Sequence, residues 1–372
     1  MKDTVAIVGV GHTAYGSFPD RDEYSLAAEA FSKALADCGL NKSQVDGLGI
    51  CRIPEYTVAG EMLGLNPRWT MMFPPHGRMS GMGILIAASA IATGQADTVA
   101  LLYANIGRSR RVSYGGDEIP SLWDAWNYTS PGAAYAMMFR RHMALYGTTS
   151  RQLGEVSVAI RHHASLNPDA VMRKPITLDD HEAARPIVAP LKLLDYCLIN
   201  DGAVCIILSS RERAKDLRKP PVLISGYGGY DGLATASILG YDHDFFYDHI
   251  RIAGEASYRT AGITREDVDG LMVYDNFSPT VLFALEGLGY CGRGESGAFV
   301  ENGAISLHGK LPVNTDGGHL SNSYLQGWAL NVEAVRQIRR EAGARQIEDC
   351  KVVQYVQGTP CTRSIIYTAD GL

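Results

Sequence analysis

Val45-Asp46-Gly47-Leu48-Gly49-Ile50 recurs 223 residues later as Val268-Asp269-Gly270-Leu271-Met272-Val273. Six residues are a weak repeat alone, but the surroundings match as well. A helix-like stretch precedes each copy, at 25–38 and 246–261, and an apolar segment ending in glycines stands before that, at 5–11 and 222–229. After each copy comes a second match, YTVAGEMLGL at 56–65 against PTVLFALEGL at 279–288. Both copies then continue into a third helix and strand, 79–94 with 98–104 and 325–341 with 351–356. Continuous apolar runs such as VALLYA and VVQYV are the pattern of strands buried on both faces. The chain therefore reads as an α/β protein of two duplicated βαβαβ halves with mixed sheets under helices. The halves are 1–215 and 216–372, joined near 209–221, where charged residues precede Pro220-Pro221. Residues 105–200, rich in Arg, His, Tyr and Pro, belong to neither copy, and an insertion of that size builds a pocket wall or an interface.

Composition narrows the function classes. With 372 residues, 46% apolar and 20% charged, the chain is globular and long enough for a large core. A net charge of −6, with no basic stretch longer than Arg108-Ser109-Arg110-Arg111, excludes a nucleic-acid footprint. No apolar run reaches about 18 residues and the N-terminus lacks a signal-peptide layout, so the expectation is a cytoplasmic protein without membrane insertion. Seven scattered cysteines without a CxxC pair argue against a disulfide framework and a zinc site, and no metal is expected. Gly9-Val10-Gly11-His12-Thr13-Ala14 fits a relaxed dinucleotide loop, but the next strand begins only near Val45, which favours a glycine-rich strand end.

Four motifs carry a resemblance that spans nearly the whole chain. They are Gly77-Arg78-Met79-Ser80-Gly81 heading an apolar helix, Tyr274-Asp275-Asn276-Phe277, Asn314-Thr315-Asp316-Gly317-Gly318, and Ser323-Tyr324-Leu325-Gln326-Gly327. In this order, with duplicated halves and an insertion in the first, they resemble the thiolase superfamily. The resemblance implies layers in the order α/β/α/β/α and a loop-domain insertion. It sets Arg78 at the place of the nucleophilic cysteine, Tyr274 and Tyr324 at the two histidine-type positions, and Cys361 in the C-terminal glycine-rich loop. A guanidinium stays protonated and cannot be a nucleophile, so acyl transfer through the usual cysteine is excluded.

Paired tyrosines 50 residues apart are similar to the thiolase-like lipid-transfer branch, above all the bacterial steroid side-chain-cleaving aldolases. Arg140-Arg141-His142-Met143-Ala144-Leu145-Tyr146-Gly147, Asn167-Pro168-Asp169-Ala170 and Asn200-Asp201-Gly202-Ala203 also look like that branch. The resemblance implies retro-aldol cleavage of a 17-hydroxy C22 steroid acyl-CoA to a 17-keto steroid and propionyl-CoA. It also implies no permanently bound cofactor, coenzyme A entering with the substrate thioester, a homodimer, and a DUF35-type OB-fold partner completing a heterotetramer.

The chemistry asks for a base at the β-hydroxyl, a donor to the enolate, and no covalent intermediate. Tyr274 and Tyr324 are the candidate pair. An unaided tyrosinate costs about 4 kcal/mol at neutral pH, so positive charge is expected nearby. Arg78, with the helix dipole behind it, either supplies that charge or fills the vacated site with an ion pair. His319 is an acid, an oxyanion donor or a structural partner of the Gly-Gly turn. Asn276 donates an amide without adding negative charge. Gly317 and Gly318, with Arg108, Arg110 and Arg141, are candidates for holding coenzyme A. Two other readings stay open: a divergent thiolase or Claisen acyltransferase using a displaced cysteine such as Cys361, and a non-catalytic acyl-CoA-binding subunit.

Overall fold

In the computed structural model the repeated aspartates act alike. Asp46 accepts from the N–H groups of Asp97 (2.9 Å) and Thr98 (2.8 Å), and Asp269 from those of Lys351 (2.7 Å) and Val352 (2.9 Å). Each thereby fixes the start of the strand lying beside its own. The structure describes residues 1–75, 77, 79–111, 130–231, 245–358 and 361–371.

The first half runs β1 (Val5–His12), α1 (Glu23–Cys38), β2 (Gly47–Cys51), α2 (Tyr56–Leu63), β3 (Trp69–Phe73), α3 (Met79–Ala92) and β4 (Thr98–Asn105). The insertion contributes α4 (Pro131–Tyr146), α5 (Ser150–Leu166), α6 (Leu178–Ala183) and a small ribbon of β5 (Pro186–Val188) and β6 (Leu191–Lys192). β7 (Gly202–Ser210) closes the half and α7 (Arg211–Ala214) occupies the charged joint. The second half runs β8 (Val222–Asp231), α8 (Tyr247–Ala261), β9 (Gly270–Val273), α9 (Pro279–Gly287), α10 (Ser296–Val300), α11 (Trp328–Ile338), β10 (Val352–Gln357) and β11 (Cys361–Ala369).

The strand order is β3-β2-β4-β7-β1-β8-β11-β10-β9, so the halves mirror one another across β1 and β8. Parallel pairs β2–β3, β2–β4 and β9–β10 lie beside antiparallel ones, giving the mixed sheets read from the sequence. The two sheets are not separate, however. A ladder of two residue pairs, Ala6 with Leu223 and Ile7 with Val222, joins them edge to edge. The counterpart of β3 has shrunk to one parallel bridge between Val313 and Leu271.

Alternation along β1 sorts the layers. Val5 and Ile7 share a core with Ile84 of α3, Trp328 and Leu330 of α11, and Val353 and Tyr355 of β10. Ala6 and Val8 face the other way, onto Leu26, Ala30 and Ala34 of α1. Thus α3 and α11 fill the middle layer, α1 covers the first sheet, and α8 packs on the second. The glycines of the candidate dinucleotide loop belong to this packing. A Cβ on Gly9 would stand 2.6 Å from Ala34 O and one on Gly11 2.3 Å from Ala30 O, with Gly226 and Gly228 set against α8 in the same way. They are strand glycines that let a helix approach, and not a phosphate loop.

Candidate active site

Tyr274 follows the last residue of β9, at the carboxyl end of a parallel strand, where α/β sheets place their ligands. Its N–H donates to Val356 O (2.9 Å), and Thr280 Oγ1 donates to its carbonyl (3.2 Å). Asn314 clamps the preceding residue, accepting from Val273 N (2.7 Å) and donating to Val273 O (2.9 Å). Tyr324 lies between a π-helical turn (Gly318–Asn322) and α11, and its N–H donates to Asn200 Oδ1 (2.7 Å). The two phenol oxygens, on residues 50 apart in sequence, meet at 3.0 Å in a buried setting. Gly77 lies against them at the head of α3. A Cβ there would stand 1.9 Å from the Tyr274 hydroxyl and 3.3 Å from that of Tyr324. Only glycine lets this loop rest on the pair.

His319 packs edge-on against both phenols, its ring centre 4.6 Å from that of Tyr274 and 5.2 Å from that of Tyr324. Its Nε2 accepts from Gly327 N (2.8 Å), which sets the neutral ring with its proton on Nδ1. Nδ1 is 3.3 Å from Asp275 Oδ1 but out of line for a hydrogen bond. Burial pushes the imidazole pKa down to about 3. Asp275 accepts from His319 N (2.9 Å), yet burial holds its carboxyl well above the usual range. The Tyr274 phenol is also raised well above its ordinary value, first by burial and then by Tyr324 beside it. Burial therefore disfavours the charged form of each of these three groups.

The other candidates divide. Asn276 follows Asp275 in the chain, its buried side-chain oxygen without a hydrogen-bond partner among the described residues. Gly317 and Gly318 are buried with φ of 102° and 55°, and their N–H groups are committed to Asn314 O (2.9 Å) and Asp316 Oδ1 (2.8 Å). With no open donor they cannot hold coenzyme A through their amides; they build the turn that carries His319. Arg108 is exposed and lines a surface cleft of about 620 Å³ with Arg111 and Ile199. Arg110 is ion-paired with Glu23 (2.8 Å), and Arg141 is exposed on α4. Arg108 and Arg110 share one turn but line neighbouring clefts, while Arg141 belongs to α4. Arg78 lies outside the described residues, between Gly77 and Met79.

Displaced-cysteine chemistry finds little support. Burial raises the pKa of Cys38, Cys51, Cys197, Cys205, Cys291 and Cys350. The Cys361 thiol donates to the Asp231 carboxylate. Among the described residues no group of His, Cys, Asp or Glu could hold a metal ion, and no helix is long and apolar enough to cross a membrane. Sequence reasoning missed Asn314 and Asn200, the two amides that pin the backbone at the tyrosines. Both stand in motifs of the sequence, Asn200-Asp201-Gly202-Ala203 and Asn314-Thr315-Asp316-Gly317-Gly318, which give neither amide a role.

Residues 233–366 match the family model described as Thiolase C-terminal domain-like. The chain is 37% identical to a 17-hydroxy-3-oxo-4-pregnene-20-carboxyl-CoA lyase of Mycobacterium tuberculosis, covering 91% of this chain and 92% of that one. It is 35% identical to a steroid side-chain-cleaving aldolase of Thermomonospora curvata, over 100% and 99% of the two. Among solved structures, the Ltp2-ChsH2(DUF35) aldolase superposes with a TM-score of 0.92 at 34% identity, covering 100% of this chain and 99% of that one. With relatives of this identity along its full length, the chain belongs to the thiolase superfamily, in the branch of the steroid side-chain-cleaving aldolases.

Proposed function

We propose that this chain is a carbon–carbon lyase that cleaves a 17-hydroxy C22 steroid acyl-CoA into a 17-keto steroid and propionyl-CoA by retro-aldol reaction. The observation that carries the reading is the Tyr274–Tyr324 hydroxyl pair, 3.0 Å apart and capped by Gly77. The resemblance sets it at the histidine-type positions of thiolases, in a chain whose full-length relatives bear lyase and aldolase names.

The reaction breaks the bond between the hydroxyl-bearing carbon and the α-carbon of the thioester. The hydroxyl proton leaves as its carbon becomes a ketone, the bonding pair moves into the thioester as an enolate, and a proton then reaches the enolate carbon. Two neutral, hydrogen-bonded tyrosines can do this as a relay. One accepts the hydroxyl proton as its own crosses to the other, whose proton passes to the enolate carbon. No tyrosinate is stored, which suits a phenol held above its ordinary pKa. In this reading His319 positions the rings, the Asn276 amide donates to the enolate oxygen, and Arg78 supplies positive charge beside it. Arg108 is assigned to the coenzyme A phosphates, being exposed and without the ion pair that occupies Arg110.

Assembly is part of the proposal. A homodimer is supported by β3, which ends the sheet with Met71 and Met72 exposed beside Met62 of α2. A DUF35-type partner is supported by the two components named in the solved aldolase above, and two such partners on the homodimer would complete a heterotetramer. The halves 1–215 and 216–372 and a cytoplasmic setting belong to the same reading.

The test is to follow 17-keto steroid and propionyl-CoA by mass spectrometry, with and without the DUF35-type protein. Tyr274→Phe and Tyr324→Phe should each lower kcat by roughly 10²–10⁴-fold, the usual range for a lost proton-transfer group. No product with the partner present, together with thiolytic cleavage of acetoacetyl-CoA, would overturn the proposal.

A further inference from the structure

The return segment of the insertion is strapped across the backbone that carries Tyr274, His319 and Tyr324. Asp195 accepts Ser278 N at its carbonyl (3.0 Å) and Ser278 Oγ at its carboxylate (2.6 Å). Tyr196 bridges Phe277, Cys197 N donates to Asn276 O (3.1 Å), and Leu198 N donates to His319 O (3.0 Å). Asn200 then reaches Tyr324 N at 2.7 Å. Five residues of the first half, Asp195 to Leu198 and Asn200, thus contact, in order, the Tyr274 motif, the histidine turn and the second tyrosine.

Asn200 is the member of the strap that reaches the second tyrosine, and it does so with a side chain that is itself fixed. Its carboxamide is buried, and its Nδ2 donates to Asp201 O (3.1 Å). Its own carbonyl accepts from Asn105 Nδ2 (3.1 Å), at the end of β4. Asp201 is tied down in turn, accepting from Phe18 N (2.7 Å), Arg108 N (2.8 Å) and Ser109 N (3.1 Å). The amide oxygen is therefore a rigid point of the first half that holds a backbone N–H of the second. The segment it holds is irregular: Gln326 and Gly327 adopt φ of 50° and 87° between Tyr324 and α11. Without a helix or strand around it, that segment owes the placing of its tyrosine to such long-range contacts.

We infer that Asn200 is a positioning residue for the cleavage reaction, holding the backbone of Tyr324 so that its hydroxyl meets that of Tyr274. The inference rests on the retro-aldol reading for its kinetic consequence, but not for its geometric one. Displacing a reacting group by about 1 Å costs on the order of a hundredfold in rate. Asn200→Ala should accordingly lower kcat by roughly 10–100-fold and leave KM within about threefold, since the residue acts on alignment and not on substrate.

Asn200→Asp gives a readout that a merely structural role would not move. A protonated aspartic acid reproduces both bonds, accepting from Tyr324 N and donating to Asp201 O. Its carboxylate would instead face that carbonyl with negative charge. The kcat of Asn200→Asp relative to wild type should therefore recover as pH falls, which also keeps the test usable where the alanine variant folds poorly.

The deciding experiment needs no substrate. With 3-fluorotyrosine at position 324, the fluorine resonance reports the hydroxyl pair, and Tyr274→Phe supplies the reference for a broken one. Asn200→Ala should move the resonance away from the wild-type position, toward that reference. A resonance left in place, a kcat within about threefold of wild type, or a raised KM at constant kcat would each overturn the inference. If the wild type cleaves no steroid thioester, the retro-aldol reading falls while the resonance still decides what Asn200 holds.

Discussion

Burial decides what Tyr274, His319 and Asp275 can do. A buried acid resists losing its proton and a buried base resists gaining one, so the phenol rises, the carboxyl rises and the imidazole falls. A relay through neutral tyrosines predicts kcat constant between pH 7 and 9. A stored tyrosinate would instead raise it about tenfold per unit over that span, so such a slope in a stopped-time assay would remove the relay. For His319 the consequence is one of stability. The unfolded chain takes up a proton below about 6.5, while the folded ring stays neutral down to about 3. Its contribution is therefore complete above pH 6.5 and is lost as pH falls toward 3, by up to about 1.4 kcal/mol per unit. His319→Gln, which can still accept from Gly327, should show a shallower acid loss between pH 6 and 4 in urea titrations. Parallel slopes would mean that the ring is not the group responsible. At this scale the two tyrosines were readable because they stand inside motifs with a known order. Asn200 and Asn314 were not, since an amide that bonds a backbone group over a hundred or forty residues away leaves no periodicity behind it.

Among the elements, the loop heading α3 matters most, because it brings Gly77 onto the phenols. Gly77→Ala puts a methyl group 1.9 Å from the Tyr274 oxygen, and the ring that would have to yield is buried. The variant should keep its fold and lose at least about a hundredfold in kcat, the usual penalty for a misplaced reacting group. Near-normal turnover would mean that the loop moves aside and does not define the site. Regular elements were legible from periodicity, since the expected helices at 25–38 and 246–261 are found as Glu23–Cys38 and Tyr247–Ala261. The expected helix at 325–341 starts later, at Trp328, because Gln326 and Gly327 have left-handed backbone and Tyr324 is spent on the site. The π-helical turn before it was illegible for a related reason. Gly317 and Gly318 take positive φ to bring His319 between the phenols, a choice made by packing against α5 and Asp275 and not by local preference. The missing twin of β3 has the same character, for only Val313 still pairs where the first half has a whole strand.

For the molecule as a whole, the duplication places two equivalent strand ends, those of β2 and β9, on either side of a shared middle layer. Only the second copy carries a tyrosine after its strand, and the insertion of the first half lies over it. The site is thus asymmetric although the scaffold is mirrored. The same asymmetry leaves the far edge of the first sheet bare. β3 is exposed over Thr70, Met71 and Met72, and Met62, Val58 and Tyr56 of α2 extend that surface. An unpaired edge strand rich in apolar side chains favours association, and chains that stay monomeric guard such edges with charge or bulges. Here Met72 is 50% and Met62 55% exposed, with no charged side chain on the strand itself. A second copy meeting this edge across a two-fold axis would pair β3 with its own equivalent and cover both methionines. The purified chain should then sediment at twice its own mass, and Met62→Glu combined with Met72→Glu should sediment at the mass of one chain while keeping its helical circular dichroism. A wild-type chain that sediments singly, and doubles only when the DUF35-type protein is added, would assign this edge to the partner instead.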